Sequence, residues 1–245
     1  MLDTLLRRPV PEWATILRAL GVLDRGSVLV AGEAAAALGS IVQESGGPPL
    51  AYDRPDLALL TAAGPDVPPG FDAATPAATG LPAASVDSVV LRHAWNGVAR
   101  LGPAVDEAAR ILRPGGALLL ADLDLPELMS ANAARYPSQI LYASAPDVRA
   151  AVNATLAPFD LSVTAGRAGF DGLRGLEVDE TAGTFDRMGF VDYIRAGGWR
   201  GWELLSPERE AAIVERVERA LPLIAPVGPV VDREPWRYVT GVKRG

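Results

Sequence analysis

Few residues in this chain are suited to chemistry. His93 is the single histidine, and there is no cysteine. Imidazole is the side chain whose ordinary pKa lies nearest neutrality, so His93 is the natural general base. It follows a short apolar run, 86–91, and precedes Trp95 and Asn96. Asp122 and Asp124 follow a second apolar run, 117–121. A pair of carboxylates serves acid–base work or contributes to a metal site. No third ligand is in view, and the same pair suits the cap of a helix opening at Leu125. His93 has a plainer alternative, ordering its loop through backbone hydrogen bonds. Trp95 either flanks a planar ligand or covers the sheet edge, as buried aromatics commonly do.

These residues need a frame. Both apolar runs read as buried parallel strands. Between them, Val105, Ala108, Ala109, Ile111 and Leu112 follow helical spacing. That spacing predicts a helix with Asp106 and Glu107 in its first turn, where the dipole favours anions. Pro114-Gly115-Gly116 stops it. The unit is strand–helix–strand, with His93 and the Asp pair at the carboxyl edge where doubly wound sheets bind ligands.

The stretch 81–124 resembles strand 4, helix D and strand 5 of the class I S-adenosylmethionine (SAM)-dependent methyltransferases. The resemblance rests on L-P-A-A-S-V-D-S-V-V from Leu81, on His93, and on E-A-A-R-I-L-R-P-G-G-A-L-L-L-A-D from Glu107. It implies a Rossmann-like α/β fold. The expected sheet has seven mostly parallel strands with an antiparallel last strand, helices on both faces and a helical cap insertion. The chain is expected to form one domain, 1–245. Within it are an N-terminal helical segment (1–25), a core (26–166), a cap (167–232) and a final strand (233–245).

The resemblance also implies a SAM site, and here the chain departs from the pattern. The family has an acid near the end of strand 1 and then G-x-G-x-G, because only glycine lets the backbone approach the ligand closely. The aligned run is V-L-V-A-G-E-A-A-A-A-L from Val28. Val30 stands at the acidic position, Gly32 keeps the first glycine, and Ala34 and Ala36 replace the other two. Glu33 is expected to open an Ala-rich helix. Asp53 matches the acid that binds the ribose hydroxyls if 50–53 is strand 2; a competing register places a strand over 56–61. Ala77 stands where an Asp usually approaches the adenine. If SAM binds, Gly32, Asp53, Leu81 and Trp95 are the contacts that remain.

Composition narrows the function classes. A net charge of -7 and scattered Arg argue against a nucleic-acid partner. No apolar run reaches the roughly 18 residues of a membrane span, and no leader opens the chain, so a cytoplasmic, soluble protein is expected. The run 1–23 is expected to be helical, 64–81 mostly loop, 161–164 strand 6, and the glycines that follow a turned loop. Ser144 is expected to cap the next helix. Over 177–224, Phe185, Met188, Phe190, Tyr193, Trp199 and Trp202 crowd together, ahead of a helix from Ser206-Pro207. This reads as an apolar pocket for a small ligand, a core, or a dimer interface.

Three functions follow. The first is a pseudo-methyltransferase with no cofactor and no metal, acting beside a catalytic homologue or as a homodimer. The second is an active SAM-dependent enzyme on a small apolar acceptor, with His93 as base. The third is a cyclase or isomerase that does not use SAM.

Overall fold

A computed structural model describes residues 17–18, 21, 26–32, 35–54, 56–61, 75–93, 101–156 and 161–245. Most of the expected N-terminal helix, Glu33, Ala34 and Trp95 lie outside the described residues. The sheet has seven strands: β1 (Ser27–Gly32), β2 (Leu50–Arg54), β3 (Leu57–Thr61), β4 (Val86–Arg92), β5 (Leu112–Leu123), β6 (Phe170–Phe185) and β7 (Val230–Lys243). Their order is β2-β3-β1-β4-β5-β7-β6. This is the Rossmann-like class I order of strands, with one change at the β2 side. There, β2 and β3 form an antiparallel hairpin, and β3 pairs antiparallel with β1. Both competing registers for strand 2 therefore exist, one in each arm of the hairpin.

The centre is parallel. Residues 28–32 of β1 align with 88–92 of β4, and those align with 117–121 of β5. Every residue of β1 is buried, which is why these strands read as unbroken apolar runs rather than alternating ones.

By Cα proximity the chain divides into two compact units. The first in size spans 11–122, 156–177 and 237–245 and contains all seven strands in whole or in part. Helix α1 (Ala35–Glu44) packs on β1, β2 and β3. On the other face, Leu29, Leu59, Val89, Leu91, Leu118 and Leu120 share one core with α2 (Leu101–Ile111) and with Leu161 and Ala165. Fully burying a side chain of this size stabilises by about 1.5–3 kcal/mol.

Two expectations change here. Helix α2 begins at Leu101, not near Asp106, because Pro103 is accepted in a first turn. Glu107 is consequently mid-helix and buried. Residues 161–164 are not a strand but the start of helix α6 (Leu161–Arg167). A short apolar run carries no decisive period, and the i,i+4 pair Leu161 and Ala165 buries as a helix face. Gly169, with φ +93°, makes the turn into β6, and the glycine-bearing stretch after it is strand.

The other unit spans 1–10, 123–155 and 178–236. Its helices are α3 (Leu125–Ser130), α4 (Gln139–Ser144), α5 (Pro146–Thr155), α7 (Arg187–Arg195) and α8 (Pro207–Ile224). Asp124 caps α3, accepting from the Glu127 amide at 3.1 Å. Ser144 is not a cap; it ends α4, and its hydroxyl accepts from Arg216. Helix α8 opens after Ser206 and buries Ile213, Val217 and Leu221, as their spacing implies. The cap is shorter than expected, since 177–185 belong to β6 and β7 begins at Val230. Its core is aromatic: Phe185 stacks on Tyr193 at 4.6 Å, and Trp199 meets Phe190 and Trp202 edge-on at 6.0 and 6.4 Å.

Among the described residues, no helix is long and apolar enough to cross a membrane.

Candidate functional site

Three parallel strands end at one edge of the sheet: β1 at Gly32, β4 at Arg92 and β5 at Leu123. Gly32 has φ +103°, a conformation that favours glycine, and its amide donates to the Asp56 carbonyl at 2.8 Å. Asp56 forms the hairpin turn between β2 and β3, so its backbone lies against the end of β1. Asp53 is exposed and paired with Ala58. One strand, β3, separates it from β1.

His93 follows β4 directly. Its amide donates to the Ala121 carbonyl at 2.8 Å, continuing the β4–β5 ladder for one more residue. The backbone then turns to φ +46°. A non-glycine residue held there costs about 1–2 kcal/mol, and such strain collects at functional sites. The side chain is 3% exposed, and Nδ1 lies 2.8 Å from Oδ1 of Asp122, which is 0% exposed. An ionised carboxylate only accepts, so Nδ1 carries the proton and donates. The basic lone pair is then on Nε2. Asp122 therefore fixes both the ring orientation and the tautomer of His93. The pair is a histidine–carboxylate dyad at the carboxyl edge of the parallel strands, and such an arrangement can take up and return a proton.

The sequence singled out both residues but not their pairing. The signal was present in the register. Arg92 aligns with Ala121, so the next residues, His93 and Asp122, are neighbours across the two strands. A fixed register carried one step further brings them together.

A second polar cluster holds the loop before β4. Glu107 accepts from the Thr79 amide at 2.8 Å and the Thr79 hydroxyl at 2.5 Å. Arg110 donates to both Glu107 oxygens at 2.7 and 2.8 Å and to the Leu81 carbonyl at 2.7 Å. Burial alone would raise the Glu107 carboxyl, but the Arg110 and Thr79 hydrogen bonds outweigh it and hold the group below its ordinary range. Sequence reasoning placed Glu107 at a helix start and missed this tether. Leu81 is buried in the core beneath it. Ala77 sits in the tight turn closed by mutual backbone bonds of Thr75 and Ala78.

At the opposite edge of the same strands, Asp87 accepts from Ser27 at 2.8 Å and from Arg113 at 2.5 Å. With Arg113 beside it, Asp87 reads as a structural ion pair.

The comparisons with known proteins fit this arrangement. Residues 53–120 match the model of a methyltransferase domain family. A proposed methyltransferase of an antibiotic biosynthesis pathway from Anabaena variabilis superposes with a TM-score of 0.59 at 16% identity. The match covers 95% of this chain and 98% of that one. The chain has the class I SAM-dependent methyltransferase fold. A proposed sarcosine dimethylglycine methyltransferase from Galdieria sulphuraria also matches, with a TM-score of 0.46, 14% identity, and coverage of 95% and 84%. No curated protein matches the chain.

The methyltransferase fold implies a SAM site, and the described residues fit that group poorly. Val30 is 0% exposed and lies between Ala58 and Val90 in the strand register, so the acidic position is filled core. Ala36 is the second residue of α1. Asp53 is one strand too far from β1, and Ala77 brings no carboxylate. Gly32 keeps the first glycine of the family pattern, with φ +103°. Trp95 lies outside the described residues.

Proposed function

We propose that this methyltransferase-fold protein is a pseudo-methyltransferase, retaining the sheet and acting as a non-catalytic partner of a catalytic homologue or of a second copy. The observation that carries this reading is Val30. An acid in the family pattern is here a fully buried valine flanked by Ala58 and Val90. No carboxylate fits in that packing without leaving a buried charge. The shift of Asp53 to the outer hairpin arm supports the same reading.

Calorimetric titration with SAM and with S-adenosylhomocysteine tests it. No heat and no thermal shift at millimolar ligand is the expected result. Micromolar binding, about -8 kcal/mol, overturns the reading.

A second reading has its own observation. The His93–Asp122 dyad is built, buried and strained, which suits an enzyme acting on a small apolar acceptor. In that case Asp56, beside Gly32, takes over the ribose contact from Asp53, and the acceptor proton goes to His93 Nε2. Binding of SAM that is weakened by Asp56→Ala but not by Asp53→Ala would support this reading over the first.

A further inference from the structure

Asp232, near the start of β7, is the least expected charged residue in the molecule. It is 1% exposed and lies in the aromatic core of its unit. Oδ2 accepts from Trp199 Nε1 at 3.1 Å, while Oδ1 meets no donor among the described residues. The groups acting on it are Glu234, Trp199 and Tyr193, and none is a cation.

Proton bookkeeping narrows its state. An ionised carboxylate needs donors on both oxygens when water is excluded. The Tyr193 hydroxyl is within hydrogen-bonding reach of both the Asp232 carboxyl and the Gly198 carbonyl, and its single proton serves only one of them; the short 2.5 Å contact favours Gly198. No second donor remains for Asp232 among these groups. A neutral carboxyl supplies its own proton, and its O–H can then donate to the Tyr193 oxygen. The chain of bonds would run Asp232 to Tyr193 to Gly198, with Trp199 closing the other side.

The surrounding geometry turns this into a device. Gly198 and Trp199 belong to the short turn that follows α7. A Cβ on Gly198 would clash with the Tyr193 ring, so the turn is pressed onto that ring. Trp199 continues the contact into Phe190 and Trp202. Losing the proton would place a charge in this packing, with Glu234 adding repulsion. Tyr142, whose hydroxyl donates to the Arg200 carbonyl at 3.1 Å, also faces Tyr193. The Arg200 guanidinium stacks on Trp236 at 5.7 Å.

We propose that Asp232 is a proton-held latch: neutral, it anchors Trp199 and the turn onto the aromatic core, and on ionising it releases them. Burial, then repulsion from Glu234, pushes its carboxyl up to about 8. The unfolded value is about 3.9. The stabilising proton is therefore fully present below the unfolded value and is lost as pH rises through the folded one.

The test uses the full chain. Chemical unfolding followed by tryptophan fluorescence is measured from about pH 5 to pH 10, for the wild type and Asp232→Asn. The amide keeps an acceptor for Trp199 and cannot ionise. The wild type is expected to lose about tenfold in folding constant per pH unit up to about pH 8, then to level off. Asp232→Asn removes that slope. An unchanged slope in the variant overturns the latch. Should the variant not fold, the infrared band of a protonated carboxyl decides the matter in the wild type. Its presence near pH 6 and loss by about pH 10 supports the latch, and its absence near pH 6 overturns it.

Discussion

The carboxyl ends of β1 and of β4–β5 lie on one edge of one sheet and have gone opposite ways. At β1, apolar packing fills the position where the resemblance expects an acid: Val30 is core, and β3 separates Asp53 from the strand. At β4 and β5, polar groups remain in place at a cost. His93 keeps a strained backbone, and Asp122 stays wholly buried beside it. The difference teaches that one sheet edge can carry apolar packing at one strand end and a buried polar pair at the next. Valine and alanine improve packing where they stand. Removing one partner of a buried histidine–carboxylate pair is costly, because the survivor loses the hydrogen bond between them.

The sharpest way to break this comparison is to restore the acid. Val30→Asp is expected to destabilise by about 3–5 kcal/mol in denaturant unfolding, the range for an uncompensated buried charge. It is also expected to leave SAM titrations flat. A folded Val30→Asp protein that binds SAM would show that the β1 end is still a site and that only one side chain had closed it.

The β4–β5 end gives the next largest effect. Asp122→Ala strips the acceptor from a buried imidazole N–H and is expected to cost about 2–3 kcal/mol by the same measurement. If the loss is under about 0.5 kcal/mol, the dyad is not a built unit.

The smallest effect concerns strain. His93→Gly removes the same ring as His93→Ala but also relieves the left-handed backbone. The glycine variant is expected to be more stable than the alanine variant by about 1 kcal/mol. Equal stabilities would mean that His93 is not held in a costly conformation, and the contrast between the two ends would lose one of its supports.

Legibility followed the range of the interactions involved. The β4–α2–β5 unit was plain because its signals are local: a continuous apolar run, a 3.6 period, and Pro114-Gly115-Gly116. The last strand and helix α8 were plain for the same reason. Residues 161–164 were misread because four residues hold no period, and α6 forms only when Leu161 and Ala165 find the shared core. The hairpin was half seen, as two competing strands, because nothing local shows that both form. Glu107 was misplaced because its partner Thr79 lies 28 residues away.

The sequence by itself determined the central strand–helix–strand unit, the methyltransferase-like fold, and the absence of the family's acid at Val30. Composition and spacing suffice for the strand–helix–strand unit, since burial pattern and turn chemistry act within a few residues; the fold and the acid expected at Val30 come from the resemblance that this unit carries. Tertiary structure alone decided that His93 meets Asp122, that Asp56 rather than Asp53 lies against the end of β1, and that Asp232 is sealed among aromatic rings. Each depends on strand register or packing between distant segments. The energy of a buried polar group is set by which donors reach it, and that is a property of the assembled fold.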